Sequence, residues 1–355
     1  MNTLDRYLFR TVLIYASMAL AILMALGALF VFISQQSDIG IGSYSAADAL
    51  LFTFLNLPEQ AFELLPIAAM IGALMGLGHL AAGSELVVTR ASGVSVWRMA
   101  WPVGLAGLCM ALSMYALGEY VAPPLAQWAK REKTTSKLED ISFAGSSSAW
   151  VKDGNLILRV GTGEVDQAFG GVSLFELAGA NRLRSIKRAE RISVADPGHW
   201  RLHNVATTRF TDDLIESEVV PEMTMTSSVN PDFLGLAATD PDLLTLRGLA
   251  SYIDHLRRNH LGTAVYEIGF WSRIARLFAV IIVTLLALPF VFGPLRTTGA
   301  GARTVIGVLL GVVFFLITGM VEKGGQLFGV NPVLVGWLPT AFIGLCTGLA
   351  ISRTR

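Results

Sequence analysis

The sequence predicts an α-helical membrane protein with six transmembrane helices and an all-β domain inserted between the third and the fourth. Three observations predict it. Apolar runs of bilayer-crossing length, about 20 residues at 1.5 Å per residue, recur along the chain. The middle of the chain lacks such runs and alternates apolar and polar residues with period two, the pattern of strands with one buried face. Composition agrees: 53% of residues are hydrophobic and 15% charged, where a soluble domain carries about 25% charge.

Span one covers residues 12–33 after a polar start, Asp5-Arg6-Tyr7. It has full spanning length and no small-residue cleavage site, which reads as an uncleaved helix rather than a signal peptide. Residues 34–48 follow as a polar loop with Gly40 and Gly42. Span two covers 64–82, after a half-polar approach containing Pro58, Glu59 and Glu63; a polar segment, 83–98, leads to span three at 99–117. Charge then becomes dense. Alternation is clear in 156–160, 192–194 and 200–205, Asp153-Gly154 and Pro197-Gly198 mark turns, and a sandwich or open barrel is expected. Beyond Asp240-Pro241, the spacing of Leu243, Leu244, Leu246, Leu249, Ile253 and Leu256 predicts an amphipathic helix. Spans four, five and six cover 274–292, 304–321 and 332–351. The domains are therefore 1–118, three spans with a short helix at 84–93; 119–239, the β-domain; 240–265, the connecting helix; and 266–355, three further spans.

Short loops carry the orientation. Arg6, Arg10, Arg90, Arg98, Arg296, Arg303, Arg353 and Arg355 fall on one side, whereas loop 34–48 has no Lys or Arg and loop 322–331 has only Lys323. The excess of basic residues on the cytoplasmic side places both termini in the cytoplasm. By parity the β-domain lies across the membrane from them, which is the periplasm if the cell is Gram-negative.

Several chemistries are disfavoured. The chain has no G-x-x-x-x-G-K-[ST], no H-E-x-x-H and no Cys/His cluster with metal spacing, so neither a nucleotide nor a metal cofactor is expected in it. Cys109 and Cys346 both sit in apolar runs, which supports no disulfide framework. His79 and Ser84 do not suggest an intramembrane hydrolase, because Ser84 stands where span two leaves the membrane. Net charge is zero, which says nothing about an acidic or basic partner; no nucleic-acid partner is expected of such a membrane chain.

Some features suggest binding. Ser84 is placed to cap a short helix and Gly93 to end it, with Glu85 near its start and Arg90 near its end. Such a helix at the membrane face is either a simple interfacial element or a docking knob. Gly72 and Gly76, Gly307 and Gly311, and Gly344 and Gly348 repeat at four-residue spacing, which permits close helix packing. Arg273 and Arg276 share a face at the entrance to span four, either snorkelling or meeting an anionic headgroup; Lys323 either meets a phosphate or neutralises Glu322. Lys130, Arg131 and Lys133 read as a solvated basic cluster.

An ordered series of segments resembles the LptF/LptG family of permeases, the membrane subunits of the lipopolysaccharide-export ABC transporter. It comprises Leu4-Asp5-Arg6-Tyr7, Gly42-Ser43-Tyr44, Ser84-Glu85-Leu86-Val87-Val88 with Ala91-Ser92-Gly93, Trp150-Val151-Lys152-Asp153-Gly154-Asn155, Trp200-Arg201-Leu202, Asp240-Pro241-Asp242 with Gly248-Leu249, and Phe292-Gly293-Pro294-Leu295-Arg296. The Asp-Pro-Asp segment and the Trp150 hairpin are more similar to the LptG side of the family.

The resemblance implies a jelly-roll-like periplasmic domain and an inner-membrane location. It implies that LptF and LptG pair around an outward-open cavity above a dimer of a separate ATPase, LptB, which uses the ATP and Mg. Lipopolysaccharide would enter from the outer leaflet between span one of one subunit and span five of the other. It would then pass through the β-domains to LptC and a periplasmic bridge. Carried onto this chain, Glu85, Leu86, Arg90, Ala91, Ser92 and Gly93 form the ATPase-coupling helix. Phe30, Phe32, Pro66, Met70, Phe314, Phe315, Ile317 and Met320 line the lipid cavity or its gate, and Lys323, Arg273 and Arg276 are headgroup candidates. One departure stands out: residues 34–38, at the outer end of span one, contain no Lys or Arg where the family would be expected to have them. The competing expectation is a membrane-anchored envelope-assembly scaffold that works through its β-domain.

Overall fold

A computed structural model describes residues 2–138, 148–161, 168–178, 182–196, 199–210, 214–226, 244–292 and 300–353. The sequence signals at Pro197-Gly198, Asp240-Pro241-Asp242, Gly293-Pro294-Leu295-Arg296 and Arg355 lie outside the described residues. The chain divides into two units, one formed by 1–140 with 264–355 and the other by 141–263.

The first unit contains six helices long and apolar enough to cross a membrane. Helix α1 (Thr3–Gln35) starts earlier than the apolar run does, because Asn2 and Asp5 form a reciprocal cap that satisfies amides at its beginning. After a 3₁₀ turn comes α2 (Ala46–Leu55), then α3 (Leu57–Ala82), with Pro58 in its first turn, where its missing N–H costs nothing. A short α4 (Glu85–Ala91) leads to α5 (Val96–Ala116), capped by the Ser95 side chain.

Here the structure departs from the expected boundary near residue 119. The chain stays helical through a π-turn (Leu117–Val121) and α6 (Ala122–Leu138), so the β-domain begins later. Pro123 and Pro124 mark this junction. Lacking N–H groups, they cannot continue the ordinary i→i−4 ladder, and the wider turn absorbs the mismatch without ending the helix. The spans of the second half are α8 (Ala264–Phe292), α9 (Ala300–Phe328) and α10 (Pro332–Arg353).

Helix α3 is the centre of this unit. In its most apolar window 78% of residues are buried, against 11% for α1 and 17% for α9, which makes α1 and α9 open flanks. Leu74, Leu77 and Leu80 of α3 share a core with Leu8 and Val12 of α1, Met99 and Val103 of α5, and Val280 and Val283 of α8. Small residues set the helix spacing. A Cβ on Gly72 would lie 2.2 Å from the Cα of Ala16, one on Gly307 would be 3.3 Å from the Cα of Ile71, and one on Gly311 would be 2.9 Å from Ile67 Cγ2. The first two glycine pairs therefore form seams within the chain. At the third, Gly344 meets Ile282 and Gly348 faces open space.

The second unit is a six-stranded antiparallel sheet in sequential order: β1 (Ser148–Asp153), β2 (Leu156–Gly161), β3 (Ala168–Leu177), β4 (Leu183–Asp196), β5 (His199–Phe210) and β6 (Ile215–Thr226). The inserted all-β domain is thus present between the third and fourth spans. Among the described residues it forms one meander, each strand pairing with its neighbours in sequence, rather than two facing sheets. The β1–β2 turn falls at Gly154-Asn155, where Gly154 adopts φ +58°, a conformation glycine takes without steric cost. Leu158, Val172, Leu174, Ala189, Trp200, Leu202 and Val205 form the sheet's buried apolar core.

The amphipathic helix is α7 (Leu246–Arg258), whose start is set by the Thr245 hydroxyl accepting from the Gly248 amide. It buries Leu249, Ile253 and Leu256. The Asn259 carboxamide oxygen beyond its end accepts from the Gly154 amide at 2.8 Å, tying the helix to the β1–β2 turn. Among the described residues Trp200 is the largest fully buried side chain. Trp200→Ala is expected to remove about 3–5 kcal/mol from this unit. Limited proteolysis of the purified full-length chain should then cut within the sheet, where the parent chain resists.

Candidate docking helix and membrane flanks

Helix α4 is a compact projection with two distinct faces. Leu86 is 2% exposed and plugs into the core of the first unit. Arg90, four residues on and so on the same face, lies over the Phe292 ring at 5.2 Å from its centroid, a cation–π contact to the end of α8. Arg90 therefore points inward in this structure, although the sequence suggested a polar contact for a partner. The other face carries Glu85, Val88, Ala91 and Ser92, all exposed. Val88 is 66% exposed, an apolar side chain presented rather than buried.

The ends of α4 are also defined. Ser84 holds φ 60° and makes no side-chain cap, contrary to the capping role its position suggested. Its left-handed backbone turns the chain sharply out of α3 instead. Gly93 has φ +89° with open space around it, as a helix-ending glycine requires. Two contacts brace the surroundings. Tyr7 at the start of α1 stands close enough to Glu85 to interact with it electrostatically. Arg98 at the start of α5 pairs with the buried Asp5 at 3.1 Å. Neither pairing is legible from the sequence, because Tyr7 and Glu85, and Asp5 and Arg98, lie far apart along the chain.

The open flanks carry most of the residues expected to face lipid. Phe30 on α1 is 70% exposed and Met320 on α9 is 72% exposed; Phe315 and Ile317 are exposed and Phe32 is half-buried. Phe314 is buried, and Pro66 and Met70 lie within the α3 core. The expected set therefore divides into an exposed group on the flanks and an interior group that holds α3 in place.

The basic candidates also separate. Arg276 makes a two-pronged contact with Glu322, 3.1 Å to each carboxylate oxygen, joining α8 to α9. Arg276, not Lys323, is therefore the described partner that neutralises Glu322, while the adjacent Lys323 is exposed. Arg273 is engaged in a contact of its own. A further cation emerges where the sequence showed none. Lys133 of α6, read as part of a solvated cluster, is mostly buried and reaches the outer end of α1, with Asp38 at 2.8 Å and Gln35 Oε1 also in contact. Positive charge is thus present at the end of span one, supplied from a distant helix. Among the described residues no three His, Cys, Asp or Glu side chains come together as a metal site would need.

Six candidate spans with α3 at their centre, two open apolar flanks, an inserted β-domain and a projecting helix define a multi-pass membrane protein. Comparison with known proteins specifies which. The family described as "Lipopolysaccharide export system permease LptF/LptG" matches residues 6–353. The LptG permease of Escherichia coli K12 is 33% identical over 344 residues, 96% of this chain and 95% of that one. The LptG permease of Haemophilus influenzae is 29% identical over 356 residues, 100% of this chain and 99% of that one. The chain belongs to the LptF/LptG family of lipopolysaccharide export permeases.

Proposed function

We propose that this chain is the LptG-type subunit of an ATP-driven machine that extracts lipopolysaccharide from the outer leaflet of the inner membrane and passes it to a periplasmic bridge. The observation that carries the reading is α4: a braced helix whose outward face offers a carboxylate beside exposed valines, on the side that the basic loops assign to the cytoplasm. A separate ATPase subunit, of the LptB kind, seats on that face and uses ATP and Mg; this chain itself performs no catalysis. Its membrane partner is the paralogue LptF. The exposed flanks of α1 and α9 are the surfaces past which acyl chains move. LptC and the bridge protein receive the lipid through the periplasmic β-domains. Lys323 and Arg273 are the headgroup contacts on this chain, and Arg276 holds the adjoining helices together through Glu322.

The test is a mild-detergent pull-down of the tagged chain from its native membrane, with mass spectrometry of proteins and lipids. An ATPase, a paralogous six-span subunit and lipopolysaccharide are the expected companions. Recovery of the chain alone with ordinary phospholipid would move the function to the β-domain as a scaffold.

A further inference from the structure

Residues 34–48 read from sequence as a polar loop, yet the structure places an apolar helix, α2, at their end. Its inward face is sealed: Ala49 is 0% and Thr53 5% exposed, and the Thr53 hydroxyl donates to the Ala49 carbonyl at 2.8 Å. Its outward face carries Leu50, Leu51 and Phe54, the last 65% exposed. Apart from Thr53, the one polar side chain on the helix is Asp48, which caps the first turn against Ser45. The outward face therefore offers water nothing to hydrogen-bond.

The helix is held rigidly at a definite level. The Ser43 amide donates to the Ser136 carbonyl of α6 at 2.8 Å. Lys133, which grips Asp38 just past the end of α1, lies 4.9 Å from the centre of the Phe52 ring. Thus α2 sits where α1 leaves its apolar stretch. There it presents exposed apolar side chains, as α1 does along Leu26, Leu29, Phe30 and Ile33. Ten residues are too few to span a bilayer, but they suit a helix lying in the interface.

We infer that α2 is a membrane-interfacial helix, its Leu50, Leu51 and Phe54 seated among the acyl chains of the leaflet in which α1 ends. The inference rests on the membrane-spanning reading of the chain and is independent of what the chain transports. On the proposed orientation this is the leaflet that holds the cargo, so α2 would order the lipid immediately beside the α1 flank.

The experiment uses the full chain with Cys109 and Cys346 replaced by alanine, reconstituted in phosphatidylethanolamine–phosphatidylglycerol vesicles. Single cysteines are introduced as L50C, L51C and F54C, with F30C as the span reference and S37C as the aqueous reference, and each is labelled with a nitroxide. Power-saturation EPR then compares relaxation by oxygen, which concentrates in the bilayer, with relaxation by a water-soluble nickel chelate. The three α2 sites are expected to match F30C, with oxygen dominant, and to differ from S37C. Nickel dominance at the α2 sites with F30C still oxygen-dominant would overturn the inference and leave the spans intact. Silence to both reagents at those sites would also overturn it, because protein would then cover the face. Nickel dominance at F30C too would overturn the membrane-spanning reading and the inference together.

Discussion

Glu85→Ala is expected to abolish lipopolysaccharide export while leaving the chain folded. Glu85 lies on the exposed face of α4, with Tyr7 as an electrostatic neighbour, so its removal empties no core. The anchor of α4, Leu86 in the bundle core, is untouched. On the proposed function Glu85 pairs with a basic residue of the ATPase. Truncating one member of a desolvated, hydrogen-bonded charge pair costs about 2–5 kcal/mol, which corresponds to roughly 30-fold to several-thousand-fold in affinity. ATPase retained on the tagged variant, together with export from reconstituted membranes, measures this. Wild-type retention and export would remove Glu85 from the docking role. Leu86→Ala, by contrast, should loosen the whole knob and lower thermal stability as well.

Gly72→Leu is expected to prevent α1 from seating on α3. A Cβ at Gly72 would lie 2.2 Å from the Ala16 Cα and 2.3 Å from its amide nitrogen, so the obstacle is main chain and no rotamer change relieves it. Overpacking of a well-filled core costs about 1–3 kcal/mol, and more when backbone must shift. Loss of the monodisperse peak after detergent extraction is the expected readout. Gly348→Ala, at an exposed position with nothing within 4 Å, should behave as wild type. A monodisperse, wild-type-stable Gly72→Leu would mean that α1 does not pack on α3 in this way.

The two variants probe different kinds of information in the chain. The outward face of α4 was legible from sequence because a short segment bounded by Ser84 and Gly93, with an acid at its start, is a local pattern. Its inward face was not: Phe292, 202 positions away, lies beneath the Arg90 guanidinium, a pairing that no local string records. The four-residue glycine spacing was legible as close packing, but sequence could not say whether the neighbour was the same chain or another.

The boundary of the β-domain was misplaced for a related reason. Pro123, Pro124 and the charges that follow resemble the end of a helix, yet α6 continues to Leu138 because its inward face packs on α2 and α3 and holds the turns together. Helix α2 was missed because the polar residues before it made the whole segment read as loop. The lipid-facing candidates were chosen by span membership. Span membership cannot separate Phe315, which is exposed, from Phe314, which is buried one position away.

By itself the sequence determined the six spans, the inserted sheet and the family. A bilayer imposes a length that any 20-residue apolar run reveals, strands reveal themselves by alternation, and family motifs are local strings in order. Only the tertiary structure decided which cations are committed and which faces are open. Lys133 reaches Asp38, Arg276 reaches Glu322 and Asp5 reaches Arg98 across tens of residues. Such pairings depend on how helices pack in three dimensions, and a linear pattern of charge does not record that.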